Sequence, residues 1–244
     1  MNLDLSESVE QAIVNGLARG YKDYLHERQQ KRAELKVSGA FAWTKGNLVD
    51  SAIDKATTDV ESMHSKIAKA GYAWEYLQFM YMVDDKSLII IKEARSARKA
   101  CGEQKPAKEN YMSDLAGINN HLHLAEEKKN AKRQGAVQLE LSFAESVDET
   151  QPLTSGQFDR FYIVTHKIDN ETKRITDVAL TMPIQSTMEL VQIADLSPLL
   201  VKTGVEFTDE ELSSVQGEVA PEAQYGPEEQ GFGYIPDQQK QENQ

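Results

Sequence analysis

Apolar positions at Val9, Ile13, Leu17, Tyr21, Tyr24 and Leu25 recur in steps of three and four residues, the spacing of one helix face. They predict a helix from Ser6 to about Leu35, with Ser6 or Ser8 as its N-cap. Gly16 and Gly20 lower its intrinsic helix propensity, and the basic end from Arg28 to Lys36 suits the C-terminal pole of the helix dipole. The same spacing at Leu48, Ile53, Ala56, Val60, Met63 and Ile67 predicts a second helix, from Thr44 or Asn47 to Lys69 and closed by Gly71.

The pattern then changes. Trp74–Val83 and Leu88–Ala94 are rich in β-branched and aromatic residues around the polar turn 84–87, which predicts a β-hairpin. A third helix is expected over Lys108–Arg133, with Leu115, Ile118, Leu122 and Ala125 on one face. Val137, Leu139, Leu141 and Phe143 alternate with polar residues, the period of a half-buried strand. Residues 145–157 read as a loop and a weak sub-boundary. A second hairpin follows, Phe158–Ile168 and Arg174–Met182 around the turn 169–173. Thr187–Asp195 suggests a short helix, and Thr208 with Glu211 suggests a capping box.

These elements predict an α+β fold: helices with an antiparallel sheet built from two hairpins and one further strand. The expected organisation is one globular domain over residues 1–204 and an acidic, largely disordered tail over 205–244. The tail carries ten acids and one base, and from Gly217 onward it shows no apolar period, so it buries too little surface to offset its ordering entropy.

Charge refines this picture. The 244 residues carry a net charge of −12, yet residues 1–135 hold 21 Lys and Arg against 19 Asp and Glu. The negative balance lies in the C-terminal half. Cys101 is the only cysteine, which rules out an intramolecular disulfide and suits a reducing compartment. The N-terminus lacks the basic start and apolar stretch of a secretory signal, and the longest strongly apolar run, Leu88–Ile91, is far too short to span a membrane. A cytoplasmic location away from membranes is the expectation.

Chemistry is sparse. There is no phosphate-binding glycine loop followed by a helix, no Gly-x-Ser-x-Gly elbow and no His-Glu-x-x-His. His121 and His123 lie two residues apart, on different faces of the expected helix, so no metal site or cofactor is assigned. A metal-dependent nuclease of the restriction-enzyme type needs an acid and then an acid-x-Lys pair on the next strand. Asp84, Asp85 and Lys92 hold part of that chemistry, but Ile90 stands where the motif needs a carboxylate. Glu75 and Glu140 can replace it only if the fold brings them close.

Basic residues cluster more clearly: Arg28, Lys31, Arg32 and Lys36; then Lys92, Arg95, Arg98, Lys99, Lys105 and Lys108; then Lys128, Lys129, Lys132 and Arg133. If they converge they form a phosphate-binding face; if separate, they are solvated helix ends. Acidic strand positions, among them Glu140, Asp159 and Asp177, allow a nucleic-acid mimic instead. Tyr225, Phe232, Tyr234 and Ile235 sit among Gly, Pro and acids, as in segments that dock on a partner's groove. The leading expectation is a non-enzymatic regulatory protein that binds a protein partner through charged surfaces and this tail. Nucleic-acid binding stands second, and a nuclease or an acidic mimic behind it.

Overall fold

A computed structural model describes residues 3–70, 74–83, 85–100, 111–124 and 157–217. Helix α1 (Glu7–Glu34) starts where the Ser6 side chain accepts the Val9 N–H at 3.4 Å. Val9, Ile13, Leu17, Tyr21 and Leu25 form its buried stripe, as the spacing predicts. A 3-10 turn (Gly39–Thr44) leads into α2 (Lys45–Thr57), which crosses α1 at very short range. A Cβ at Gly16 would lie 2.4 Å from the Ile53 Cα, and one at Gly20 2.6 Å from the Val49 Cα. The two glycines therefore act as the contact surface on which α2 is seated, and their cost in helix propensity is offset by that close approach.

Six strands form one mixed sheet in sequential order: β1 (Met63–Ala70), β2 (Trp74–Tyr81), β3 (Ser87–Glu93), β4 (Arg160–Ile168), β5 (Ile175–Pro183) and β6 (Leu190–Asp195). Both expected hairpins, β2–β3 and β4–β5, are present. The sheet is not wholly antiparallel, however, because β3 and β4 run parallel through seven pairs from Ser87↔Arg160 to Glu93↔His166. A parallel pair needs a long crossover, and here it includes α3 (Ala94–Ala100) and α4 (Tyr111–Ala116).

Three expected helices are altered. The second ends at Thr57, and 63–70, expected to continue it, is the edge strand β1, paired along its whole length with β2. Val60, Met63 and Ile67 fit a helical period, but Ser62 takes φ 63° and breaks it, and the pairing to β2 decides the outcome. The expected helix over 187–195 is likewise a strand, β6: Met188 at φ 52° turns the chain back along β5, where Leu190, Val191 and Ile193 suit a pleated surface. In the third, α4 passes at Gly117 into a 3-10 turn that stops at His123, which has φ 49°. The remainder of that helix, the strand expected over 137–143 and most of the loop 145–157 lie outside the described residues.

Helices α1 and α2 cover one face of the sheet, over Phe79, Ile89, Ile91, Tyr162, Val164, Val178 and Leu180. Met112, Ala116 and Ile118 cover part of the other, over Leu88, Ile90, Phe161 and Ile163. Asn119 holds this second layer to β4, accepting the Phe161 N–H at 2.8 Å and donating to its carbonyl at 2.9 Å. Helix α5 (Asp209–Ser213) completes the described chain with the expected capping box at Thr208 and Glu211. Residues 205–217, which the sequence assigns to the tail, include Leu212 and Val215, both buried in the core beneath α1. Among the described residues no helix is long and apolar enough to cross a membrane.

Candidate functional site

The sheet splits between β2 and β3. Their ladder holds only three pairs, Phe79↔Ile89 to Tyr81↔Ser87, so Tyr76 and Leu77 form no ladder pair with the C-terminal half of β3. Into this gap α2 sends Asp50, whose Oδ2 accepts the Leu77 N–H at 3.2 Å. The carboxylate supplies the acceptor that a neighbouring strand otherwise provides. The result is a cleft of about 590 Å³ at the C-terminal ends of β3 and β4, where parallel strands commonly present ligand sites.

Its walls carry Trp43, Lys45 and Asp50 from the first-face helices, Glu75 and Tyr76 from β2, Lys92 and Glu93 from β3, Lys99 from α3, and His166 from β4. Trp43 is 41% exposed. The Lys92 ammonium lies over the Tyr76 ring at 5.5 Å and the Tyr111 ring at 5.8 Å, a cation–π arrangement at the cleft wall.

Two of the acids in the cleft, Glu93 and Asp50, are engaged by neighbouring groups. Glu93 is tied to Lys45 at 2.6 Å. Burial works to raise the Glu93 carboxyl, but Lys45, with smaller contributions from His166 and Arg95, outweighs it and holds the group below its ordinary range. Burial raises Asp50 to about 6, against the opposing pull of the Leu77 N–H and of Lys92. Much of its charge is therefore lost near the lower end of the neutral range. Burial also raises Tyr76 to about 12, against the Gln78 amide that donates to its hydroxyl, and the phenol stays protonated. His166 is driven down to about 4, chiefly by burial, so its imidazole is neutral. Lys92 and Lys99 bring two further cations to the cleft, and Glu75 a further carboxylate.

The sequence-predicted residues separate into two groups. Lys92 and Lys99 line this cleft, and Arg95 and Arg98 are exposed on the same short helix, with Arg98 on a second cavity of about 540 Å³ floored by β4 and β5. Arg28 does not join them: it is 2% exposed and donates to the Ser38 carbonyl at 2.7 Å, a structural role. Lys31 is held by Glu34 at 2.8 Å and lies over the Phe41 ring, and Arg32 is exposed beside it. Asp85 pairs with Arg160 just before β3 begins, whereas Lys92 stands near its end, about 23 Å away at some 3.3 Å per residue. Asp85 and Lys92 therefore share no site. Asp84, the cluster of Lys128, Lys129, Lys132 and Arg133, and the tail residues Tyr225, Phe232, Tyr234 and Ile235 lie outside the described residues.

Trp43, Lys45, Asp50 and His166 carry no sequence signal of a site, because only the split between β2 and β3 brings them together. Among the described residues no group of three or more His, Cys, Asp or Glu is placed to hold a metal ion. Comparison with protein-family models, curated proteins and solved structures gives no match for the chain.

Proposed function

We propose that the protein binds single-stranded nucleic acid in the cleft between β2 and β3. The observation that carries this reading is the convergence of Lys92 and Lys99 on a cleft that also presents the exposed ring of Trp43, with the Glu93 carboxylate engaged by Lys45. Cations beside aromatic faces are the elements that hold a single strand: the charges take phosphates and the rings stack bases. A duplex fits less well, since its bases are already stacked on one another.

The test is equilibrium binding of a fluorescent oligonucleotide to the whole chain, without divalent cations. Binding that is stronger for single strands than for duplex, and weakened several-fold in Lys92→Ala, supports the reading. Equal affinity in wild type and in Lys92→Ala combined with Lys99→Ala ends it.

A second reading is metal-dependent strand cleavage, favoured by one observation: Asp50, Glu75 and Lys92 reach the same cleft from a helix and two adjacent strands. Two carboxylates and a lysine can hold Mg²⁺ and polarise a water for attack on a phosphodiester. Mg²⁺-dependent cleavage abolished by Asp50→Asn and by Lys92→Ala would establish it. Binding without cleavage leaves the protein a non-catalytic binder. The protein-partner reading rests on charged surfaces together with tail residues, and its test is a pull-down with and without residues 217–244.

A further inference from the structure

His166 is 6% exposed, lines the cleft, and has an Nδ1 with no hydrogen-bond partner among the described residues. A buried polar atom without a partner carries a desolvation cost and calls for an explanation. The surroundings limit what ligand supplies the partner. Glu93, the register neighbour of His166, is already engaged by Lys45 at 2.6 Å. A phosphate would be held best by a cationic ring, and burial keeps this imidazole neutral at physiological pH. A neutral imidazole offers one donor and one acceptor. One of the two can meet a complementary atom on the edge of an unpaired nucleobase, and Trp43, 41% exposed, supplies stacking surface in the same cleft.

We propose that the cleft admits an unpaired nucleobase and that His166 reads the edge of that base. The inference rests on the nucleic-acid reading above and goes further: Lys92 and Lys99 hold the strand, and His166 determines which base is accepted.

The experiment compares the affinities of short oligo(dA), oligo(dC), oligo(dG) and oligo(dT) strands, and of a matching abasic strand, for wild type and for His166→Phe. Phe keeps a ring of similar shape and removes the polar atoms, and His166→Gln serves if His166→Phe does not fold. Wild type is expected to prefer one base over the others and over the abasic strand by about fivefold to tenfold, the value of one well-formed hydrogen bond. His166→Phe is expected to flatten that preference while retaining affinity for the strand. Nitrogen-15 NMR of wild type should show the His166 Nδ1 resonance moving when the preferred strand is added.

Equal affinity of wild type for all strands, abasic included, overturns this inference and leaves the nucleic-acid reading intact. A preference that persists in both variants, or an Nδ1 resonance that does not move, overturns the role of His166. Failure of every strand to bind wild type overturns both readings together.

Discussion

Asp50 reaches across from α2 to take the Leu77 N–H at 3.2 Å, and that bond marks the point where the sheet opens. Below it β2 and β3 pair; above it their edges diverge around the cleft. The same carboxylate thus holds the framework in place and stands in the wall of the proposed site.

The stability of the protein should register Asp50 and His166 with opposite signs. Asp50 titrates near 6 in the fold against an ordinary 3.8, so the folded state binds the extra proton, and stability falls as pH rises through that window. His166 titrates near 4 against an ordinary 6.5, so the unfolded state binds the extra proton, and stability falls as pH drops from 6.5 toward 4. Between pH 4 and 6 the two slopes oppose. Relative to wild type, Asp50→Asn should make stability rise more steeply with pH across that range, and His166→Phe should make it rise less steeply. Urea unfolding at several pH values reads both; parallel curves for all three proteins would contradict the burial assigned to these groups.

Gly16→Ala and Gly20→Ala should each destabilise the fold by about 1–3 kcal/mol through overpacking, outweighing the roughly 1 kcal/mol that Ala gains in helix propensity. The new methyl groups would meet the α2 backbone at Ile53 and Val49, and backbone cannot rotate away. Thermal unfolding measures the loss. A rise in Tm in either variant would mean that α2 does not sit on these two residues.

Glu211 joins α5 to α1. It caps the Thr208 N–H at 2.8 Å and meets His26 at 2.5 Å and Lys22 at 3.3 Å. Burial works to raise its carboxyl, but the Thr208 N–H, His26 and Lys22 together bring it down to about 2. Its contribution is therefore complete above the ordinary value of 4.5 and is lost as pH falls from there toward 2. Glu211→Gln should cost about 1–2 kcal/mol at pH 7 and almost nothing near pH 2. Denaturant titration at the two pH values tests this, and an equal cost at both would show that the charge is not the source.

Much of the fold is legible in the sequence. The periodicity of α1, both hairpins and the Thr208–Glu211 box follow from local spacing, which tertiary contacts here reinforce. The misread segments, 63–70 and 190–195, are short and mix polar with apolar residues, and their few apolar positions do not decide between helix and strand. Edge pairing to β2 and β5 decides them, and pairing is not visible in a local window. The site was legible only in part. Lys92, Lys99 and Glu75 are readable as chemistry, whereas Asp50 and His166 acquire meaning from the split ladder and from the parallel register of β3 with β4. Arg28 shows the converse, since it reads as a surface cation and is buried against the Ser38 carbonyl.

The measurement that tests the central claim most directly is the salt dependence of single-strand affinity for wild type and for Lys92→Ala combined with Lys99→Ala. A single strand releases about 0.7 counterion for each phosphate neutralised. Removing two cleft lysines should weaken binding and lower the log–log salt slope by roughly 1.4. An unchanged slope with unchanged affinity, or no single-strand binding by wild type at low salt, would contradict the assignment of this cleft to nucleic acid.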